Sequence, residues 1–244
     1  MPAKATKKNS TNEFVGEPGA IETALENIRE AIKLVQPDSS VMGEVGWQKR
    51  KSAQTRITLL TATVKCLAKH GYAQTTTQLV ANSANISRGA MLHHYATKTE
   101  LITSTIDYIM YRRMEAYYRE ISKLSDNQRV EQGHGVEVYW NTILTSDYQA
   151  FLELSVASRT DKELRKVFVK KARAFDDLWL EQTPLVFPEW KNQPPERVLL
   201  ARDLVTSTLE GLHLNHRIMS EGGGRAKAVR AFLSEAIKLI REGS

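Results

Sequence analysis

The sequence predicts an all-α protein: a three-helix head containing a helix-turn-helix, followed by a larger helical domain. Three observations carry that expectation. Apolar residues recur at three-and-four spacing through most of the 244 residues, and no alternating strand pattern survives beyond a few positions. Ser or Thr stands three residues ahead of Glu or Gln at Thr75/Gln78, Thr97/Glu100, Ser125/Gln128, Ser146/Gln149 and Thr160/Glu163. In that pairing each side chain satisfies the other's free backbone donor at a helix start. The breakers Gly71, Gly133/Gly135, Pro184, Pro188, Pro194/Pro195 and Gly222 to Gly224 mostly fall between the runs so marked.

Taken in order, residues 1–15 are rich in Lys, Ser, Thr and Asn with little to bury, so they are expected to be disordered, with Lys4, Lys7 and Lys8 available to phosphate. Ile21, Leu25, Ile28, Ile32 and Val35 recur at helical spacing behind Glu17 and Pro18, predicting an amphipathic helix over 21–35 that ends in a Gln-Pro-Asp-Ser-Ser linker. The same logic predicts helices over 47–70, 76–83, 87–95, 98–124, 128–144, 147–159, 161–182, 195–220 and 225–242. The organisation expected is an amino-terminal extension over 1–45, a head over 46–97 and a larger domain over 98–244.

Composition narrows the function. With 41% hydrophobic, 25% charged and 7% aromatic residues, the chain is neither a disordered tail nor a fibrous repeat. The single cysteine, Cys66, lies among Leu59, Leu60 and Leu67 and reads as core. Neither a basic-then-apolar leader nor an apolar run long enough for a membrane is seen, so a reducing, cytoplasmic setting without a membrane partner is expected. The net charge of +6 is unevenly placed: from Val45 to Thr99 there is no Asp or Glu, and that stretch holds +8 while the rest holds −2. A basic segment joined to a near-neutral body is the pattern of a polyanion-binding module.

Within that stretch, residues 76–95 read as two short helices joined at Asn85-Ile86. Val80, Ala81 and Ala84 supply the small face that lets two helices cross closely, and Met91, Leu92 and Tyr95 supply the second apolar face. Asn85 stands where the chain must turn sharply, and Asn tolerates the left-handed conformation. Ser87 is placed to cap the second helix. Such a helix enters the major groove, its first residues meeting base edges while neighbours grip phosphate. Arg88 can give two hydrogen bonds to a guanine edge, and Ser87 and His93 can donate to bases or phosphate. Thr76 and Lys98 start the flanking helices, where free amides favour phosphate, and Lys49, Arg50, Lys51 and Arg56 add sequence-blind attraction. Thr77, Gly89 and Ala90 complete the candidate contact set.

The run Thr-Thr-x-x-Val-Ala-x-x-Ala-Asn-Ile-Ser-Arg-Gly-Ala-x-x-His-His-Tyr-x-x-Lys-x-Glu-Leu over 76–101 resembles the amino-terminal signature of the TetR (tetracycline-repressor-like) family of bacterial transcriptional regulators, with the likeness running from 47 to about 110. Phe151-Leu-Glu-Leu and the segment Ala157 to Leu164 are similar to carboxy-terminal segments in a subset of that family. Two positions depart from the pattern. The family usually has Gly where Asn85 stands, and commonly a phosphate-contacting Tyr where Leu92 stands, a role that passes partly to His93, His94 and Tyr95.

The resemblance implies a ligand-responsive regulator, most often a repressor, that binds a palindromic double-stranded DNA operator as a homodimer and is released by a small-molecule effector, with no resident cofactor. It implies a dimer built on the last two long helices. There Leu200, Leu204, Leu209 and Leu212 form one apolar stripe with Ser207, and Val229, Phe232, Leu233, Ala236 and Ile237 another. It also implies a ligand pocket within 100–220, for which Tyr108, Tyr111, Tyr139, Trp140, Phe151, Phe175, Trp179, His213 and His216 are candidate walls, with Arg159 and His213 as polar anchors.

A second reading comes from another class. Glu131-x-x-His134 and Glu210-x-x-His213 each put a carboxylate and an imidazole three apart, as in di-metal carboxylate bundles that act as oxidoreductases. Against it, Gly133 and Gly135 weaken the helix His134 requires, and the basic head is left unexplained. No glycine-rich phosphate loop, cysteine cluster or nucleophile elbow is present, so a binding protein is expected rather than an enzyme.

Overall fold

The computed structural model describes residues 19–33, 44–125, 128, 133–219 and 224–243. The expectations for the first fifteen residues, the Gln-Pro-Asp-Ser-Ser linker, Glu131 and the His134 side chain lie outside the described residues. Among the described residues there is no strand. The helices are α1 (Ala20–Ile32), α2 (Glu44–Gln74), α3 (Thr77–Ser83), α4 (Arg88–His94), α5 (Lys98–Ser122), α6 (Gly133–Ile143), α7 (Ser146–Ala157), α8 (Lys162–Val186), α9 (Pro195–Met219) and α10 (Gly224–Glu242), with a 3-10 turn over Pro188–Trp190.

Local chemistry explains most of the boundaries. Gly71, at φ 75° and ψ 171°, breaks α2 just after residue 70, a conformation that glycine adopts without a Cβ penalty. The helix starts lie close to the expected positions, but the capping residue often differs by one. Thr76, not Thr75, accepts the Leu79 N–H at 3.1 Å, while Thr75 turns back and donates to the Gly71 carbonyl at 2.7 Å. Thr145 and Asp161 take the roles expected of Ser146 and Thr160, accepting from Tyr148 N–H and Leu164 N–H. The reason is competition within Ser/Thr/Asp clusters: adjacent oxygens can all accept, and the extended backbone needed at a cap selects one. Thr97 caps α5 as expected, and Ser125 and Gln128 form the reciprocal pair in full. Pro184 does not end α8, which runs two residues further. It removes one donor near the helix end, and Val186 beyond it is buried.

Packing then joins these helices. Leu59, Leu60, Cys66 and Leu67 of α2 meet Val80 and Ala81 of α3, Met91 of α4 and Tyr95 in one core, where burial raises the Cys66 thiol above its ordinary pKa. That core continues without a break into Leu101, Ile102, Ile106 and Ile109 of α5, Ala150 and Leu154 of α7, and Leu164 and Phe168 of α8. Position 97/98 is therefore a capping boundary rather than a division of the core. A second core joins α6, α9 and α10 through Val136, Trp140, Ile143, Leu209, Leu233 and Ile237. In a third, Ile21, Ala24, Leu25 and Ile28 of α1 lie against Tyr111, Met114, Tyr118 and Ile121 of α5 and Val186 of α8.

Candidate nucleic-acid interface and cavity

The turn between α3 and α4 forms as its residues require. Asn85 takes the left-handed conformation at φ 54°, the Ile86 N–H returns to the Ala81 carbonyl at 3.0 Å, and Ser87 caps α4 by accepting from the Ala90 N–H at 3.2 Å. Met91 is driven into the core and pins the helix, so the opposite face projects: Ser87, Arg88, Gly89, Ala90, Leu92 and His93 are all exposed. Nothing lies within 4 Å of where a Cβ on Gly89 would stand, so that face is open. Thr76 is exposed beside it and Thr77 half-buried. Lys49, Arg50 and Lys51 are exposed near the start of α2, Lys51 lying 5.0 Å from the ring centre of exposed Trp47.

Three residues expected at the interface are turned inward. Tyr95 is fully buried, with its hydroxyl enclosed and unpartnered, because it closes the head core beneath α4. The Arg56 guanidinium stacks over that ring at 5.3 Å, and its Nε is buried. Lys98 is drawn back to the end of α2, its Nζ donating to the Tyr72 carbonyl at 2.9 Å and lying 4.2 Å from the Tyr72 ring centre. His94 is half-buried, and desolvation followed by the neighbouring His93 and Arg56 charges holds its imidazole below the ordinary value.

A cavity of about 270 Å³ lies in the body between α5, α6, α8 and α9. Of the candidate wall residues, Tyr139, Phe151, Phe175 and Trp179 line it, with Met110, Met114 and Tyr117. Its charged residues are others: Arg113, Asp176, Glu189 and Arg202. Arg113 lies 4.1 Å from the Phe151 ring centre and bonds Tyr139 Oη at 3.3 Å, and Tyr139 Oη in turn donates to Glu210 at 2.9 Å. Burial pushes the Tyr139 hydroxyl far up its scale, so it acts as a neutral donor. The Arg112-Arg113 pair, set between the apolar run Tyr108 to Tyr111 and Met114 of α5, was the available signal for Arg113.

The remaining expected wall residues lie elsewhere. Tyr108 bonds Thr61 of α2 at 2.9 Å, and Tyr111 lies under α1 with its hydroxyl pushed up to about 12 by burial and Glu115. Trp140 and His213 pack edge to face in the second core, and Arg159 is exposed in the α7–α8 turn. The His216 side chain lies outside the described residues. The reason is shared: spacing places a residue on a helix face but does not say which neighbour that face meets.

On α9 and α10, Leu200 and Phe232 are exposed, at 55% and 75%, together with Leu214, Val229 and Leu239. Leu204 and Leu212 are half-buried, while Leu209 and Ile237 are core residues of the protomer, because they face each other across the α9–α10 pair. Among the described residues no three His, Cys, Asp or Glu side chains are gathered to hold a metal ion, and Glu210 is committed to Arg113 and Tyr139. Nor is any described helix long and apolar enough to cross a membrane.

This arrangement, a capped recognition helix presented on a compact three-helix head above a helical body with an internal cavity, defines a helix-turn-helix DNA-binding regulator. Residues 59–105 match the family described as "Bacterial regulatory proteins, tetR family". The chain is 29% identical over 137 residues to the HTH-type transcriptional regulator CymR of Pseudomonas putida, spanning 54% of this chain and 67% of that protein. It is 23% identical over 119 residues to an HTH-type transcriptional regulator of Mycobacterium tuberculosis, spanning 49% of this chain and 60% of that one. In fold it is similar to a transcriptional regulator from Streptomyces coelicolor (TM-score 0.53, 18% identity, 77% of this chain and 98% of that one). It is also similar to the multidrug binding protein EbrR solved with imidazole (TM-score 0.51, 16% identity, 85% and 97%). Over residues 59–105 the chain is therefore similar to TetR-family transcriptional regulators.

Proposed function

We propose that the protein represses transcription by binding a palindromic operator as a homodimer, and that a small molecule entering the body cavity releases it. The observation that carries this reading is the exposed α4 face, Ser87 to Ala90 with His93, held by the buried Met91 in a head that has no acidic residue. One such helix offers too little surface for operator-grade affinity, and two placed about one DNA turn apart supply it. The exposed apolar stripe of α9 and α10 supports pairing, and the cavity, walled by aromatics with Arg113 and Arg202, supports a ligand of modest size.

The cavity and the head share α5. Arg113 faces the cavity, while the adjacent Arg112 bonds Tyr108 Oη at 3.2 Å, which is bonded in turn to Thr61 of α2. A ligand that displaces Arg113 thereby acts on the helix that carries the head. The effector must bind the two states with different affinity, and the coupling is reciprocal.

The test is selection of bound sequences from a random duplex pool by the purified protein near physiological salt. Recovery of a palindrome with half-sites about one helical turn apart is expected. Absence of enrichment from dimeric protein would overturn operator recognition, and an effector with equal affinity for free and operator-bound protein would overturn release.

A further inference from the structure

The charge along α8 is sharply divided. Its first twelve residues, 162–173, carry six Lys or Arg and one acid, Glu163, whereas 174–186 carry Asp176, Asp177 and Glu181 and no cation. This runs against the helix macrodipole, which favours acids at the amino end and cations at the carboxyl end. A helix that holds five net positive charges at its unfavourable end loses stability to do so, and local structure offers no return. Of the six, Lys171 reaches Asp107 across the core, and Lys166 pairs with Glu163 at 2.8 Å. Lys162, Arg165, Lys170 and Arg173 are exposed, and among the described residues no carboxylate pairs with them. With Lys166, Val169, Ala174 and one acid, Asp177, at its far end, they line a shallow groove along one helix face.

The stripe begins at the head. Asp161, which caps α8, accepts from the Tyr72 hydroxyl of α2 at 3.2 Å, and Lys98 holds the Tyr72 carbonyl, so the basic end of α8 adjoins the acid-free head. We infer that this face of α8 is a second contact for duplex DNA, taking the phosphate backbone that flanks the operator and extending the grip of the recognition helices. The inference rests on the operator reading above. Charge selects the occupant. A second copy laid on this face would bring the same excess, since 162–186 carries six cations against four acids in each copy, so no register pairs every charge. A polyanion meets all four exposed cations and releases its counterions on doing so.

The experiment compares wild type with the fourfold variant Lys162→Gln, Arg165→Gln, Lys170→Gln, Arg173→Gln. All four positions are exposed, so the fold is retained, as circular dichroism will verify. Each protein is titrated against two duplexes over a salt series. One duplex carries only the selected palindrome, and the other carries it with about two helical turns of flanking sequence on each side. Wild type is expected to bind the longer duplex at least tenfold more tightly. Its log Kd is expected to vary more steeply with log salt there, by roughly 0.9 for each phosphate engaged, or about 2 to 4 per protomer. The variant should bind the short duplex as wild type does and lose both differences on the long one. Equal affinities and slopes for the two proteins on the long duplex would overturn the inference. So would an unchanged slope with a smaller mass of the bound complex, which would assign the face to another copy of the chain. Wild type that binds neither duplex would overturn operator recognition itself, a distinct result.

Discussion

Arg88 is the second residue past the turn, exposed on α4, and its place is set by the Ser87 cap and the Asn85 turn before it. If its two-donor fork meets a guanine edge, Arg88→Ala costs about 1 to 3 kcal/mol and relaxes preference at one operator position. Binding measured against single-base operator variants checks this, and a uniform loss with a shallower salt slope would place Arg88 on phosphate. His94 gives a pH dependence. Its folded pKa is depressed by burial, His93 and Arg56, so the unfolded chain binds the proton more readily. The stability it confers is full above the ordinary value of 6.5 and falls as pH drops through that region. Urea midpoints between pH 7.5 and 5.5 should decline less in His94→Gln than in wild type. These side chains were legible from the motif because a helix-turn-helix is a local structure. Tyr95 was legible as part of the apolar face of α4 as well as a candidate contact, and its burial decides for the core; the Arg56 guanidinium stacked on that ring was not legible, since it depends on a helix 39 residues away in sequence.

Among the elements, α1 is the one whose purpose the motif left open. It does not cover the recognition helix. Its buried face rests on Tyr111, Met114, Tyr118 and Ile121, and Met114 and Ile121 also line the cavity, so α1 backs the cavity wall. Asn27 bonds Gln182 of α8 at 3.0 Å and Arg29 reaches Glu115 of α5, so the helix bridges both sides of that wall. Ile28, with no exposed surface, is its anchor. Ile28→Ala should lower unfolding free energy by about 2 to 4 kcal/mol. Chemical denaturation reads that loss, and a change below about 0.5 kcal/mol would mean that α1 docks only loosely. The amphipathic pattern over 21–35 announced a helix correctly, while the surface it covers was absent from the pattern, because an apolar stripe specifies a face and not its partner.

For the whole molecule, the proposed pairing of two protomers would rest on the outer faces of α9 and α10. Phe232, 75% exposed beside Val229 and Leu239, is the largest apolar group left uncovered there. Phe232→Glu should convert the dimer to monomer in sedimentation at micromolar concentration. Operator affinity should fall by at least a hundredfold, as one head alone gives only part of the contact. A variant that remained dimeric would move the interface elsewhere. The sequence stripes named both helices, yet Leu209 and Ile237 proved to be the protomer's own core. Two adjacent amphipathic helices have more apolar surface than their contact uses, and spacing does not divide it between the inner and outer faces.

The sequence by itself determined the all-α class, the helix-turn-helix with its cap and left-handed turn, the acid-free head and the order of the helices. Each of these is settled within one or two turns of chain, by spacing, capping oxygens and formal charge. The tertiary structure decided that head and body share one core through Leu67, Leu101 and Leu154, that Arg113 and Arg202 rather than Arg159 and His213 face the cavity, and that Lys98 is tied to Tyr72. Those outcomes depend on which faces meet across long sequence separations, and burial there is a property of the assembled helices rather than of any one of them.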